Sequence, residues 1–259
     1  MRNRFLLARA GFSPAYIFPC VVVLAVLTLG SAGVSAQQKV SKRFPAGKNV
    51  RLVLKNISGK IIVESWNRDE IKISATMESP TANVAPKQYQ EGVVIDVAGD
   101  NRGRGDVGNV NFRIQVPVNS TVDIETKMGD ITIANIQGDM VRAYVSSEGD
   151  IELSGIMASK VYAQNTTGNI FFDGEVNRGG TYQFKSTRGD ISIRIPANST
   201  FDLIASAADR KLALGQFWNS SFKTVGEGQK FSRTATNVND GRAKVTIINF
   251  QGGITFIRR

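Results

Sequence analysis

Thr126-Lys127-Met128-Gly129-Asp130-Ile131-Thr132-Ile133 returns as Ser146-Ser147-Glu148-Gly149-Asp150-Ile151-Glu152-Leu153, as Asn165-Thr166-Thr167-Gly168-Asn169-Ile170-Phe171-Phe172 and as Ser186-Thr187-Arg188-Gly189-Asp190-Ile191-Ser192-Ile193. The shared phrase is a small polar residue, two loose positions, Gly, a polar residue, Ile, any residue and an apolar one. Looser copies stand at Asn56-Ile57-Ser58-Gly59-Lys60-Ile61-Ile62-Val63 and at Asn249-Phe250-Gln251-Gly252-Gly253-Ile254-Thr255-Phe256. Gly129, Gly149, Gly168 and Gly189 follow one another at 20, 19 and 21 residues. A repeat at that period specifies a stack of equivalent supersecondary units, because one such unit cannot bury its own apolar face.

Apolar residues alternate on both sides of each glycine. Seven and five residues before it stand Val122 and Ile124, Val161 and Ala163, Tyr182 and Phe184, Leu52 and Leu54, Val245 and Ile247. Two and four residues after it stand Ile131 and Ile133, Ile151 and Leu153, Ile170 and Phe172, Ile191 and Ile193. Period-two alternation rich in β-branched residues predicts half-buried strands, so each unit reads as strand, polar turn, strand. One copy departs: Arg142 stands seven before Gly149, and the same count gives Tyr144 the next inward place.

Stacking such coils ~4.8 Å apart aligns Ile131, Ile151, Ile170 and Ile191 in one apolar ladder. Thr126, Ser146, Asn165 and Ser186 then form a polar ladder at the corner, where short side chains bond turn amides. The glycine supplies a positive φ. A second echo, Ile114 to Ile124 against Ile193 to Leu203, has an offset of 79 residues, about four coils.

The reading is all-β: a single domain from about Val40 to Arg259, a β-solenoid or β-helix-like stack of ~20-residue coils. Its clearest coils span 110–203, with irregular ends that cap exposed sheet edges. Helical turns are expected only within Ser79 to Gln90 and Ala205 to Trp218.

Arg2, Arg4 and Arg9 precede an uncharged apolar run from about Ala10 to Gly33 that ends in Val34-Ser35-Ala36. That pattern predicts a secretory signal over residues 1–36, cut after Ala36, leaving 37–259. An uncleaved membrane anchor is the alternative, since the run approaches the ~20 residues needed to span a bilayer. Cys20 does not suit lipid attachment, because Pro19 stands where that signal requires a small residue. The expected location is periplasm, cell envelope or extracellular space.

Without residues 1–36 the chain keeps 29 Lys and Arg against 22 Asp and Glu, a net charge of about +7, and it has neither His nor Cys. Disulfides, His and Cys metal ligands, and Ser-His-Asp or Cys-His nucleophile sets are thereby excluded. The positive charge suits an anionic glycan, envelope polymer or lipid surface, or else serves only solubility. Nucleic acid is not an expected partner of an exported chain.

The opening Phe44-Pro45-x-Gly47, the run Leu54-x-Asn56-x-Ser58-Gly59-x-Ile61-x-Val63, Trp66, the strand from Ile71 and the Gly-Asp-Ile repeats resemble the exported bacterial candidate adhesins of the DUF4097 family. That family is related to the auto-transporter-adhesin head-like domains. The resemblance covers roughly residues 44 to 257. It implies a right-handed β-solenoid-like fold at or outside the cell envelope, and brings no catalytic or ligand residues.

Asp130, Asp150 and Asp190, with Asn169 between, align along one edge of the stack. Such a ladder either holds Ca²⁺ through oxygen ligands or caps each residue's own turn. It lacks the dense glycine pattern of calcium-binding coils. Arg104-Gly105-Asp106 lies in a glycine-rich loop, and Arg188-Gly189-Asp190 repeats that tripeptide within a coil turn. Trp66, Trp218, Phe217 and Tyr89 read either as sugar-stacking platforms or as cap and core aromatics. No catalytic, cofactor or metal residue is assigned.

Three functions compete: a non-enzymatic envelope or surface protein presenting a rigid repeat face, a β-helix polysaccharide lyase or hydrolase acting on anionic glycans, and an envelope-stress or scaffolding component acting through a protein partner. Self-association through the ends of the stack is a further expectation.

Overall fold

The alternating residues before and after each repeat glycine form two strands of one coil, and the two strands enter different sheets. The computed structural model describes residues 38–259 apart from 48, 79–81, 209–211, 218–222, 226–230 and 240. The expected signal segment, with Cys20, and Trp218 lie outside the described residues.

Strands Arg51–Lys55, Thr121–Met128, Met140–Glu148, Lys160–Thr167, Thr181–Arg188 and Ala243–Gln251 lie side by side in that order, all parallel, within an eleven-stranded sheet. Their partners Ile61–Trp66, Ile131–Ala134, Ile151–Ile156, Ile170–Gly174, Ile191–Ile195 and Ile254–Arg258 keep the same order in a ten-stranded sheet. The fold is thus nearly all-β, with two long sheets of mainly parallel pairing that form a β-solenoid-like stack.

The core lies between the inward faces of these sheets. Ile131, Ile151, Ile170 and Ile191 are register partners and buried, as the repeat predicts, and Ile61 and Ile254 extend the ladder at its two ends. Opposite them run Leu54, Ile124, Ala143, Ala163, Phe184 and Ile247. Side-chain volume is matched across the gap: where Ala163 is small, Phe172 fills the space and meets Phe184 at 5.1 Å and Tyr182 at 6.1 Å between ring centroids. Each buried Ile contributes about 1.5–3 kcal/mol of transfer free energy, which makes the ladders the main source of cohesion.

Met140–Glu148 corrects the sequence reading. Between Val145 and Glu148 it holds one residue more than its neighbours, a β-bulge. Counting back from Gly149 therefore lands one residue off. Val141, Ala143 and Val145 point inward, Arg142 and Tyr144 point outward, and Val145 rather than the exposed Ser146 continues the corner ladder. That ladder is Asn56, Thr126, Val145, Asn165, Ser186 and Asn249. Its polar members donate to carbonyls rather than accepting from amides. Asn249 Nδ2, for example, reaches Gly189 O at 2.8 Å and Gly253 O at 3.0 Å.

The flanks do more than cap. In chain order Phe201–Ala208 follows Thr181–Arg188, yet in space Ala243–Gln251 lies between them and pairs with both. At the other end Arg51–Lys55 lies between Gly92–Asp96 and Thr121–Met128, and Ile61–Trp66 between Val110–Pro117 and Ile131–Ala134. The first and last repeat coils are thus inserted between rungs contributed by the intervening chain. The echo at 79 residues marks two equivalent crossings between the sheets: Ser120 N bonds Pro117 O, and Ser199 N bonds Pro196 O, both at 3.1 Å.

Beyond these coils the pairing turns antiparallel, at Gln38–Pro45 with Glu70–Met77 and at Phe201–Ala208 with Phe231–Val238. The edge strand Gln38–Pro45 exposes Lys39, Lys42 and Arg43, charges that oppose strand addition by another chain. The described part of Ser79 to Gln90 holds no helix but the strand Lys87–Tyr89. The described part of Ala205 to Trp218 holds strand and the expected helical turn, a 3₁₀ turn at Gly215–Phe217. A four-residue helix, Val97–Asp100, lies outside both stretches, started by Asp96 Oδ1 accepting Gly99 N at 2.8 Å. It is too short for any periodic signal.

At Gly189, φ is +126°, and a Cβ would stand 2.0 Å from Gly168 O of the neighbouring rung. Gly189→Ala is expected to lose roughly 2–5 kcal/mol of unfolding free energy. Gly103→Ala, also at positive φ but with open space around it, is expected to lose only about 1 kcal/mol. Urea denaturation of both variants checks the contrast.

Tyr182 is 1% exposed; its hydroxyl accepts Asn177 N at 2.7 Å and donates to Ala158 O at 3.1 Å. Burial raises its pKa, the Asn177 amide opposes the shift, and Glu175 adds to it. The neutral phenol is therefore favoured in the fold. Its contribution is complete below the unfolded value of about 10 and is lost as pH rises through the higher folded value. Tyr182→Phe is expected to cost about 1–2 kcal/mol at neutral pH and to lose stability less steeply than the parent above pH ~10, as thermal melts across alkaline buffers would reveal.

Candidate functional site

Three parts of the stack gather polar side chains. The first is the glycine corner, where each repeat turn brings a short acceptor to the edge. Asp130 Oδ1 accepts the amide of Asp150 at 3.0 Å, Asp150 Oδ1 that of Asn169 at 2.7 Å, Asn169 Oδ1 that of Asp190 at 2.9 Å, and Asp190 Oδ1 that of Gly253 at 2.7 Å. Asn111 Oδ1 does the same for Lys60 at 2.7 Å. The predicted alignment is present, with one correction: each acceptor caps the next rung, not its own turn. The close approach of equivalent glycines puts the neighbouring amide nearer than any in the same turn. Among the described residues no group of three or more acidic side chains is placed to hold a metal ion. Asn169 separates Asp150 from Asp190 in the row.

The second part is an ion-pair cluster on the other sheet. Asp173 is buried and takes Arg194 Nη2 at 2.6 Å and Arg259 Nη1 at 3.4 Å, while Arg259 also pairs with Glu175. The hydrogen bond and charge of Asp173 raise the pKa of Arg194. These contacts join three adjacent rungs and use up the charges that a catalytic carboxylate there would need.

The third part is the outward face of the eleven-stranded sheet. Because the bulge turns them outward, Arg142 stands opposite Asp123 and Tyr162, and Tyr144 opposite Glu125 and Gln164. Arg142, Tyr144, Tyr162, Gln164, Gln183 and Lys185 line a shallow trough of about 530 Å³ that runs across the strands. Arg142 donates to Asp123 Oδ1 at 2.6 Å, pairs with Glu125 at 3.5 Å and lies 5.6 Å from the centre of the Tyr144 ring. Its burial opposes the charge, but Asp123 and Glu125 outweigh this and raise its pKa. The guanidinium is thus held in place, with its charge met by two carboxylates. Lys185 Nζ lies 5.9 Å above the Phe250 ring.

The aromatics considered from the sequence do not assemble into a platform. Phe217 is buried against Phe201 and Phe256, at 6.2 and 6.0 Å. Trp66 is half-buried, donates Nε1 to Glu70 O at 2.8 Å and carries Arg68 over its ring. Tyr89 is exposed on the edge strand Lys87–Tyr89. Arg104-Gly105-Asp106 is an exposed loop in which Asp106 Oδ1 accepts Gly108 N at 2.9 Å, and Arg188-Gly189-Asp190 is a repeat corner. The outward tyrosines were missed. Tyr162 lies between inward Val161 and Ala163, and the alternation Val141, Ala143, Val145 placed Tyr144 outward, so both signals were in the sequence.

The sequence profile of the Toastrack DUF4097 family matches residues 33–256. A candidate cell adhesion protein from Clostridium sporogenes is similar in structure at 13% identity and a TM-score of 0.49, over 86% of this chain and 100% of that one. A candidate adhesin from Bacteroides fragilis is similar at 10% identity and a TM-score of 0.41, over 86% and 99%. A candidate lipid binding protein from Parabacteroides distasonis is similar at 10% identity and a TM-score of 0.29, over 85% and 97%. A comparison with curated proteins returns no match.

If the corner acceptors are structural, Asp150→Asn keeps the acceptor that Asn169 already supplies in its own rung, and the melting temperature should hardly move. Asp150→Ala should cost about 0.5–1.5 kcal/mol. Neither Ca²⁺ nor a chelator should shift the melting of the parent protein; a shift that vanishes in both variants would instead make the corner a cation site.

Proposed function

Since the chain belongs to the Toastrack DUF4097 family, we propose that it is an exported, non-enzymatic protein of the cell envelope or cell surface whose rigid face serves adhesion or surface binding. The observation that carries this reading is the stack itself. Parallel rungs joined at every corner hold outward side chains at fixed spacing over two broad sheets, which suits recognition of an extended surface more than chemistry in a cleft. The stack is read as right-handed, with coils of about twenty residues. Residues 1–36 are read as the export signal. Absence of His, together with the engagement of Asp123, Glu125, Asp173 and Glu175 in ion pairs with arginine, speaks against general acid–base catalysis on these faces.

Deleting the gene is expected to reduce attachment of the cells to surfaces, and the purified protein is expected to sediment saturably with envelope material. Unaltered attachment together with no sedimentation would overturn the reading. Incubation with pectate, alginate or glycosaminoglycan should release no unsaturated uronate; release would move the protein to the lyase class.

A further inference from the structure

We propose that the trough on the eleven-stranded sheet is a binding site for an anionic polysaccharide lying across the strands. This deepens the surface-binding reading and rests on it. Four adjacent strands, Met140–Glu148, Lys160–Thr167, Thr181–Arg188 and Ala243–Gln251, turn the side chains of Arg142, Lys160, Lys185 and Lys244 outward. Before the corner at Glu148 these strands present no outward carboxylate. The acids lie on the flanking strands: Asp123 and Glu125 pair with Arg142, while Asp202, opposite Lys244, accepts a hydrogen bond from Asn237 at 2.9 Å and keeps its charge. Lys160 pairs with Asp139 at 3.1 Å beside the strand, whereas among the described residues Lys185 has no carboxylate partner and Lys244 forms no ion pair with Asp202 opposite it.

The other trough residues fit a sugar chain better than a bilayer or a folded protein. Tyr144 and Tyr162 are diagonal neighbours on adjacent strands, half-buried, and therefore offer ring surface within the face instead of protruding from it. Half-buried rings with polar tips suit the apolar faces of sugar rings. Gln164 and Gln183, exposed beside them, supply both donors and acceptors for hydroxyl groups. The amino group of Lys185 in the trough, and that of Lys244 on the same face outside its lining, then meet the carboxylate, sulfate or phosphate groups of the chain. Four rungs span about 14 Å, so successive sugars of one chain meet successive rungs. An anionic membrane surface would call for protruding apolar side chains. The exposed large apolar groups at this face are Ile204, opposite Thr246, and Phe250, four residues further along that strand, and Lys185 stands over the Phe250 ring, so they form no continuous apolar patch.

The test uses the purified protein with polygalacturonate, heparin, neutral dextran and phosphatidylglycerol vesicles, read by titration calorimetry and affinity electrophoresis. Three proteins are compared: the parent, Tyr144→Ala with Tyr162→Ala, and Lys185→Gln with Lys244→Gln. The parent should bind at least one of the two polyanions and not dextran. Both double variants should melt within a few degrees of the parent and bind about tenfold more weakly or worse. The lysine variant should also depend less on salt. Polyanion binding unchanged in both variants overturns the trough while leaving surface binding by another face intact. Binding to the vesicles alone overturns the choice of polysaccharide. No binding of the parent to polyanions, when it still sediments with envelope material, overturns the inference but not the proposed function, and failure of both removes the two together.

Discussion

Everything in this stack depends on how closely successive backbones approach at the glycine corner. Gly129, Gly149, Gly168, Gly189 and Gly252 each stand so near the equivalent glycine carbonyl of the adjoining rung that a Cβ would fall 2.0–2.3 Å from it. Three kinds of contact follow. Amides such as Gly149 N reach Thr167 O at 2.9 Å, short side chains such as Asn249 tie two carbonyls, and the outer acceptors take the next rung's amide. A corner that makes all three fixes the register of both sheets at once, and with it the alignment of the isoleucine ladder and of the outward trough. Register matters because a slip of one residue exchanges the two faces of a strand.

The inserted terminal coils change what kind of object this is. A simple linear stack can fray from either end, since each repeat touches only its neighbours. Here the last coil, Ala243–Gln251 with Ile254–Arg258, is bounded on both sides by rungs formed earlier in the chain. The first repeat coil is bounded in the same way by rungs formed later. Completing the sheets therefore needs contacts between residues far apart in sequence, which raises contact order and slows folding. Cooperativity replaces the independence of a repeat array.

One irregularity links this scaffold to its outward chemistry. The extra residue in Met140–Glu148 is absorbed just before the corner, so the glycine stays in line while the preceding residues shift phase. That shift places Arg142 and Tyr144 beside Tyr162 on the solvent face, with Asp123 and Glu125 holding the guanidinium. Bulges re-aim side chains in this way without breaking a sheet.

Much of the architecture was legible from the repeat alone: two strands per coil, the glycine corners, the isoleucine ladder and the inward pairs such as Val161 with Ala163. These follow from local alternation and from a backbone conformation that only glycine adopts readily, both written within about eight residues of sequence. The order of the rungs was not legible. Local pattern specifies that Ala243–Gln251 is a strand but not that it enters between two rungs already joined in the chain, because that choice depends on which edge is open and which partner surfaces complement it. Nor was the composition of the trough legible: the alternation Val141, Ala143, Val145 turns Arg142 and Tyr144 outward, but the trough's residues come from separate coils, and only the pairing shows which of them stand side by side. The sequence by itself determined the unit and, outside the bulged strand Met140–Glu148, the face each residue takes within it. The tertiary structure decided which units are neighbours, because pairing between strands is set by contacts remote in the chain.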